Sequence, residues 1–364
     1  MSWLSPTDHR LLHKYFHLEK GAMPVFIHVI LPLCGGLFIF LGGMKLMEAA
    51  LRHLAGPFLT RWLNRATVSP WRGMLFSSGI TALLQSSTAV TVLTIGLVNA
   101  GLLTYGRTLG IILGTNIGTC LTTELMGLQL GRLAVPLLCG SLLCWSTAVL
   151  WGEAVPSRQY ASAGASPGSN GLSRPQAVQY ISLVFAGFSL ILAGIRVMQT
   201  VGPWIEQAGL FRWFLDHAAA NMWWAFAAGA CLTALFHSSA AVIGMAISLA
   251  AAGALPADVG IAIVIGSNVG TCVTALIAAV GGSVSGKFVA WSHVLLNVGG
   301  ALLFMPLIPG LEMAAAWIST EPGAKVAHAQ TLFNVISSLL VLPLCYLPVW
   351  TRLEDRISPH RIKR

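Results

Sequence analysis

The chain has 364 residues, of which 55% are hydrophobic and only 9% are charged, with a mean hydropathy of +0.76. Soluble domains carry about 25% charged residues, so this chain cannot cover a soluble surface, and we predict an all-α polytopic membrane protein. The net charge of +9 lies mostly outside the apolar runs, which favours contact with anionic lipid over nucleic-acid binding.

Residues 1–22 are polar and amphipathic and lack the pattern of a signal peptide. His9, His13 and His17 are spaced by four residues and would share one face of a helix. Such a stripe could bind a metal, but an interfacial helix explains it more simply. We predict an amphipathic cytoplasmic N-terminus, followed by a first transmembrane repeat over 23–151.

The stretch ALLQSSTAVTV (82–92) places polar side chains inside a long apolar run. About 12 residues precede the polar triplet and about 15 follow it, and both arms are too short for a hydrocarbon core of about 30 Å. We therefore predict a re-entrant hairpin of two half-length helices. Hydroxyl groups and free N–H groups at its tip would form an anion site, although small hydroxyl residues also serve simple helix packing.

The stretch GTNIGTCLT (114–122) predicts a helix that is broken by its glycines. Freed carbonyls together with Thr115, Asn116 and Thr119 would offer hard, uncharged oxygens that suit Na⁺. A GxxxG-type packing face is the alternative. Glu124 follows in the same helix and could serve a cation, serve a proton, or lie at the helix end in water.

The two halves of the chain are related by duplication. Residues 79–125 align with 231–277 at an offset of 152 without a gap, and 19 of 47 positions are identical. The joint at 152–176 is rich in Ser, Gly and Pro and predicts a flexible linker. If each half crosses the membrane an odd number of times, the repeats are inverted, and we expect inversion.

The second repeat and the final helices are predicted over 177–350. ALFHSSAAVIG (234–244) gives a second polar tip, and GSNVGTCVT (266–274) a second broken helix with Ser267, Asn268 and Thr271 as candidate sodium ligands. Because both elements recur with the same neighbours, a functional role for the tips is favoured over packing.

Charged and sulfur-containing residues add three smaller predictions. Lys45 and Arg196 match across the repeat, and we favour snorkelling to the interface over substrate binding. The basic tail 351–364 would lie beside anionic lipid. All seven cysteines fall in apolar segments without a CxxC pair, which favours packing roles over disulfides or zinc.

LLQSSTAVTV paired with a downstream GTNIGT, present twice, resembles the sodium-dependent phosphate cotransporter family, with its bacterial members and animal type II relatives. The resemblance covers roughly residues 30–345. It implies that both tips bind phosphate and part of the Na⁺, at Gln85, Ser86, Ser87, Thr88, His237, Ser238 and Ser239. WSHVLLN (291–297) and VAHAQTLFN (326–334) also look like the family's A-x-x-H-x-x-F-N pattern, which adds the lower-weight candidates His293, Asn297, His328 and Asn334.

The resemblance implies a sodium-coupled secondary transporter of inorganic phosphate in the cell (inner) membrane, with Na⁺ as coupling ion and no cofactor or catalytic residue. It leaves room for a homo-oligomer. His237 stands where the family usually has Gln, and Ala240 where it has a third hydroxyl. These departures keep open proton coupling and another small anion, such as sulfate or a carboxylate. A non-transporting sensor and an intramembrane hydrolase are weaker alternatives, since HExxH and GxSxG are absent.

Overall fold

The computed structural model describes residues 26–66, 69–99, 102–128, 130–154, 172–205 and 209–357. The predicted N-terminal helix with its three histidines, most of the 152–176 linker and the end of the basic tail lie outside these residues. Within the described ranges every regular element is helical, and seven segments are long and apolar enough to cross a membrane. This confirms the prediction of an all-α, multi-pass membrane protein.

The described part of the first half contains five helices. After a π-helical turn at Phe26–Ile30 they follow in the order α1 (Leu31–Ala66), α2 (Pro70–Leu84), α3 (Ser87–Asn99), α4 (Tyr105–Gly127) and, after a 3₁₀ turn at Leu130–Leu133, α5 (Ala134–Ala154).

The second half repeats this order with an insertion and is followed by three further helices. Its elements are α6 (Arg174–Gln199), the inserted α7 (Gly202–Ile205) and α8 (Gly209–Ala220), then α9 (Trp223–Phe236), α10 (Ser239–Ala251), α11 (Ala257–Ala279) and α12 (Val284–Phe304). The final helices are α13 (Ile308–Ala316), α14 (Pro322–Val341) and α15 (Val349–Ile357), with 3₁₀ turns at Met305–Leu307 and Leu342–Tyr346.

The helices α1 and α6, which correspond across the duplication, pack against each other in antiparallel fashion. A Cβ atom added to Gly36 would lie 2.8 Å from the carbonyl oxygen of Gly194, and one added to Gly43 would lie 2.6 Å from that of Gly187. The backbones therefore touch through glycines at two levels. Antiparallel equivalent helices are what inverted repeats require; the inversion itself stays a prediction, because its test needs the membrane.

The predicted breaks at GTNIGT and GSNVGT are wrong, since α4 and α11 run through these stretches as continuous helices. The glycines serve close packing instead. A Cβ atom on Gly114 would lie 1.9 Å from Ser77 Oγ, and one on Gly266 would lie 1.9 Å from the carbonyl oxygen of Phe226. Each long helix thus packs in direct backbone contact against the first short helix of its half, α4 against α2 and α11 against α9.

Candidate functional site

Each half forms a polar tip where two short helices meet. Gln85 (φ 54°) and His237 (φ 52°) end α2 and α9 in the left-handed region, and they are the only non-glycine residues with positive φ in the described ranges. This conformation favours glycine, so each side chain is held there at a cost. Ser86 and Ser238 follow, and each side-chain oxygen accepts a hydrogen bond at 3.3 Å from the N–H three residues on, which caps the next helix.

Both tips open into one cavity of about 700 Å³. The cavity brings together the complete set of predicted phosphate-binding residues, which are Gln85, Ser86, Ser87, Thr88, His237, Ser238 and Ser239. The arms that carry them are 15, 13, 14 and 13 residues long, each shorter than a helix needs to span a bilayer. Their role in phosphate binding and the re-entrant placement remain predictions.

Threonine pairs related by the repeat offset extend the cavity wall. They are Thr81 with Thr233, Thr119 with Thr271, and Thr122 with Thr274. Thr122 donates a hydrogen bond to Gln85 Oε1, while Gln85 Nε2 donates to the carbonyl of Ala82, so the first tip is tied to α4. Sequence reasoning named only Thr119 and Thr271; the duplication, which aligns all three pairs, contains the signal for the others.

The six predicted sodium ligands separate into two groups. Thr119 and Thr271 line the cavity, whereas Thr115, Asn116, Ser267 and Asn268 do not. Three of those four engage protein groups: Thr115 donates to the carbonyl of Ile112, Asn116 Nδ2 donates to Asn297 Oδ1 at 3.1 Å, and Ser267 pairs with Thr233. The Nδ2 of Asn268 is buried without a partner among the described residues.

The lower-weight candidates Glu124, His293, Asn297, His328 and Asn334 are not among the described residues that line the cavity. Glu124 Oε2 is 2.8 Å from His328 Nδ1, and its Oε1 accepts a hydrogen bond from Thr331, so a carboxylate on α4 is bound to α14. His293 and Asn334 are buried, and Asn334 Nδ2 donates to Cys120 Sγ. These contacts connect helices.

A charged cluster on α1, formed by Lys45, Glu48 and Arg52, also lines the cavity. Glu48 is only 7% exposed; Lys45 Nζ lies 3.0 Å from its Oε2, Arg52 pairs with its Oε1, and the side chain of Ser86 lies beside it. Arg196, the repeat counterpart of Lys45, instead reaches the carbonyl of Gly131 at an exposed position. Sequence reasoning missed Glu48 and Arg52, whose i, i+4 spacing on a helix was the available signal.

Gln330 on α14 is a further cavity residue that sequence reasoning missed. In the segment VAHAQTLFN (326–334), the family pattern points to His328 as the candidate residue. If AWSHVLLN and AHAQTLFN are aligned on Asn297 and Asn334, however, Gln330 takes the place of His293. His328 lies two positions earlier.

Comparison with known proteins gives one matching family and several relatives. The sequence model of the family described as Na⁺/Pi-cotransporter matches residues 39–200 and 207–314. The chain is 32% identical over 311 residues to the uncharacterized protein YqeW of Bacillus subtilis (strain 168), which covers 85% of this chain and 93% of YqeW. No solved structure matches the chain.

Two further relatives carry functional names. The chain is 23% identical over 315 residues to the "Putative inorganic phosphate export protein YjbB" of Escherichia coli (strain K12), which covers 86% of this chain but only 53% of YjbB. The chain thus spans about half the length of that relative. A stretch of 99 residues, 27% of this chain and 14% of the relative, is 27% identical to the human "Sodium-dependent phosphate transport protein 2B".

Proposed function

The chain belongs to the Na⁺/Pi-cotransporter family, and on that premise we propose that it is a sodium-coupled secondary transporter of inorganic phosphate in the cell membrane. The observation that carries the proposal is the pairing of two serine-capped tips, at equivalent positions of the two halves, around one cavity. A binding site between duplicated halves is the usual arrangement of secondary transporters. The protein acts on its cargo by binding and carrying it, without catalysis.

Phosphate binds between the tips through neutral donors. The first N–H groups of α3 and α10 have no partner within their own helices, and each helix start contributes roughly half a positive charge. The hydroxyls of Ser87, Thr88 and Ser239 add further donors. Lys45 and Arg52 outweigh Glu48 by one charge at the same wall, which favours an anion.

Sodium binds through side-chain oxygens of the cavity wall. Because α4 and α11 are continuous, their backbone carbonyls are bonded within the helices, and we assign sodium to side-chain oxygens. The threonine pairs, above all Thr119 and Thr271, offer the uncharged oxygens that hard cations accept. A bound cation lowers the cost of placing phosphate between the tips, and both cross together as the halves rock past each other.

The test of the site is equilibrium binding of labelled phosphate to the purified protein. Ser86→Ala and Ser238→Ala each remove a helix cap and a hydroxyl that donates a hydrogen bond to phosphate. We expect each substitution to weaken phosphate binding about tenfold or more. Ser189→Ala is the matched control, since Ser189 is buried on α6, donates to the carbonyl of Phe185 and does not line the cavity. Full binding in both tip variants would refute the assignment.

Proton coupling is a second candidate, favoured by His237. It lines the cavity and holds the strained tip position that Gln85 holds in the other half. An imidazole takes up and releases a proton, which would let it exchange one with each phosphate carried. The name of the Escherichia coli relative concerns export, and coupling to either ion would let the same site run in that direction when the gradients demand it.

A further inference from the structure

Gln330 is a buried glutamine at the cavity wall with no hydrogen-bonding partner. Its side chain is part of the lining, the residue is 1% exposed, and both Oε1 and Nε2 lack a partner among the described residues. A buried carboxamide that stays unpaired is costly, and native proteins pair nearly all such groups. Since the described residues around it offer no partner, a ligand in the cavity that Gln330 lines is the natural one.

The surroundings hold Gln330 in a fixed position. Its neighbour Thr331 donates to Glu124, and Asn334 one turn later donates to Cys120, so α14 is fastened to α4 beside it. The helix α14 lies outside the duplicated unit, and Gln330 therefore has no counterpart in the pairs that line the two halves of the cavity. Like the charged cluster on α1, it is a polar group of the cavity wall that does not recur in the other half.

The chemistry of a carboxamide distinguishes two anions of the same shape. Its nitrogen donates and its oxygen accepts. Monohydrogen phosphate presents bare oxygens together with one P–OH group that must find an acceptor, whereas sulfate at neutral pH presents bare oxygens only. The N–H groups at the two tips can only donate. An unpaired acceptor in the cavity wall thus fits protonated phosphate and is left unsatisfied by sulfate.

We propose that Gln330 is a specificity-determining ligand, with Nε2 donating to a phosphate oxygen and Oε1 accepting the hydrogen bond of the P–OH group. This inference rests on the proposed function and adds to it the selection of protonated phosphate over sulfate. A residue with a purely structural role behaves differently, because replacing an unpaired buried amide by an apolar side chain of similar size leaves transport unchanged.

The experiment measures uptake of labelled phosphate into proteoliposomes, with unlabelled phosphate or sulfate as competitor. In Gln330→Met we expect the half-saturating phosphate concentration to rise about tenfold and the preference for phosphate over sulfate to shrink about tenfold. Gln330→Glu keeps the acceptor but loses the donor and adds negative charge, so uptake falls while the preference persists. Thr91→Val is the control, because Thr91 Oγ1 is equally buried and unpaired but lies away from the cavity.

Each outcome decides a different point. A Gln330→Met protein that elutes as a single species and keeps both the wild-type half-saturation and the wild-type preference overturns the inference. A shift in sodium half-saturation alone overturns it too, since it would make Gln330 a cation ligand. If Gln330→Met does not fold, loss of the preference in Gln330→Glu overturns it. Wild-type uptake that sulfate and phosphate inhibit equally overturns the inference but not anion transport, and absence of wild-type phosphate uptake overturns the proposed function itself.

Discussion

Glu48 forms ion pairs with two basic side chains beside the first tip. Its carboxylate contacts Lys45 and Arg52 and lies beside Ser86, so the charge that an arriving anion meets depends on this cluster. Among the described residues, no Lys, Arg, Asp or Glu of the second half lines the cavity, and the repeat position of Glu48 is Gln199. The two halves are thus similar in their hydroxyl groups and different in their charges.

Removing one basic side chain from this cluster should weaken phosphate binding. For Arg52→Gln we expect the half-saturating phosphate concentration to rise roughly tenfold, because the Arg52 side chain is 55% exposed and solvent screens most of its attraction to the anion. The effect should shrink at high ionic strength. Arg196→Gln is the control, because Arg196 lies at an exposed site away from the cavity. An equal change in both variants, measured by phosphate titration of uptake, would show that the position of the charge is irrelevant.

His237 is the ionisable residue at the second tip. His237→Gln gives this tip the residue of the first, and the protein should still carry phosphate because glutamine tolerates the same backbone position at Gln85. If the imidazole exchanges the coupling proton, uptake in this variant will vary less between about pH 5.5 and 7.5. An unchanged pH profile in the same vesicles would remove proton coupling through His237.

At the scale of the helices, the short arms depend on the glycines of α4 and α11. Adding a methyl group at Gly114 forces it against Ser77 Oγ and the carbonyl of Met74, at 1.9 and 2.1 Å. We expect Gly114→Ala to destabilise the protein by about 1–3 kcal/mol through overpacking. Gly79→Ala is the control, since a Cβ there meets nothing within 4 Å. Thermal melting followed by size-exclusion chromatography compares them, and equal melting temperatures would contradict the packing role.

Most of the element order follows from the sequence. The short arms around Ser86 and Ser238 are readable from the length of the apolar runs, and the duplication predicts that the two tips have the same design. The prediction that helices break at Asn116 and Asn268 was wrong, because glycine is compatible both with unwinding and with close backbone contact. Only the position of α2 against α4, a long-range contact, decides between them.

The residues that line the cavity could be predicted from the sequence only where they belong to the duplicated segments. The tip residues and two threonines were accessible in this way. Glu48, Arg52 and Gln330 lie on helices whose distance from the tips depends on tertiary packing, and no local pattern gives that distance. Gln330 was further hidden because His328, two positions away, fits the expected residue type in the motif.

At the scale of the whole molecule, the duplication predicts opposite orientations of the two halves. Among the described residues, each half contributes three long apolar helices: α1, α4 and α5 in the first, and α6, α11 and α12 in the second. An odd number of crossings inverts the second half relative to the first, in agreement with the antiparallel packing of α1 and α6.

Labelling of single cysteines tests the inversion. Leu128 and Val280 follow α4 and α11 at equivalent positions, and both are exposed. In a background in which the seven native cysteines are replaced, we expect a membrane-impermeant maleimide to reach Leu128→Cys and Val280→Cys from opposite sides of sealed vesicles. Labelling of both from the same side would rule out inverted repeats.

On the proposed function, the two tips form one phosphate site whose occupation is coupled to sodium. The most direct measurement is uptake of labelled phosphate into proteoliposomes under an inward Na⁺ gradient, beside a matched choline control, for the wild type and Ser86→Ala. We predict Na⁺-dependent accumulation in the wild type and a loss of about tenfold or more in the variant. Accumulation that is the same in sodium and choline, or that Ser86→Ala leaves intact, would contradict the account.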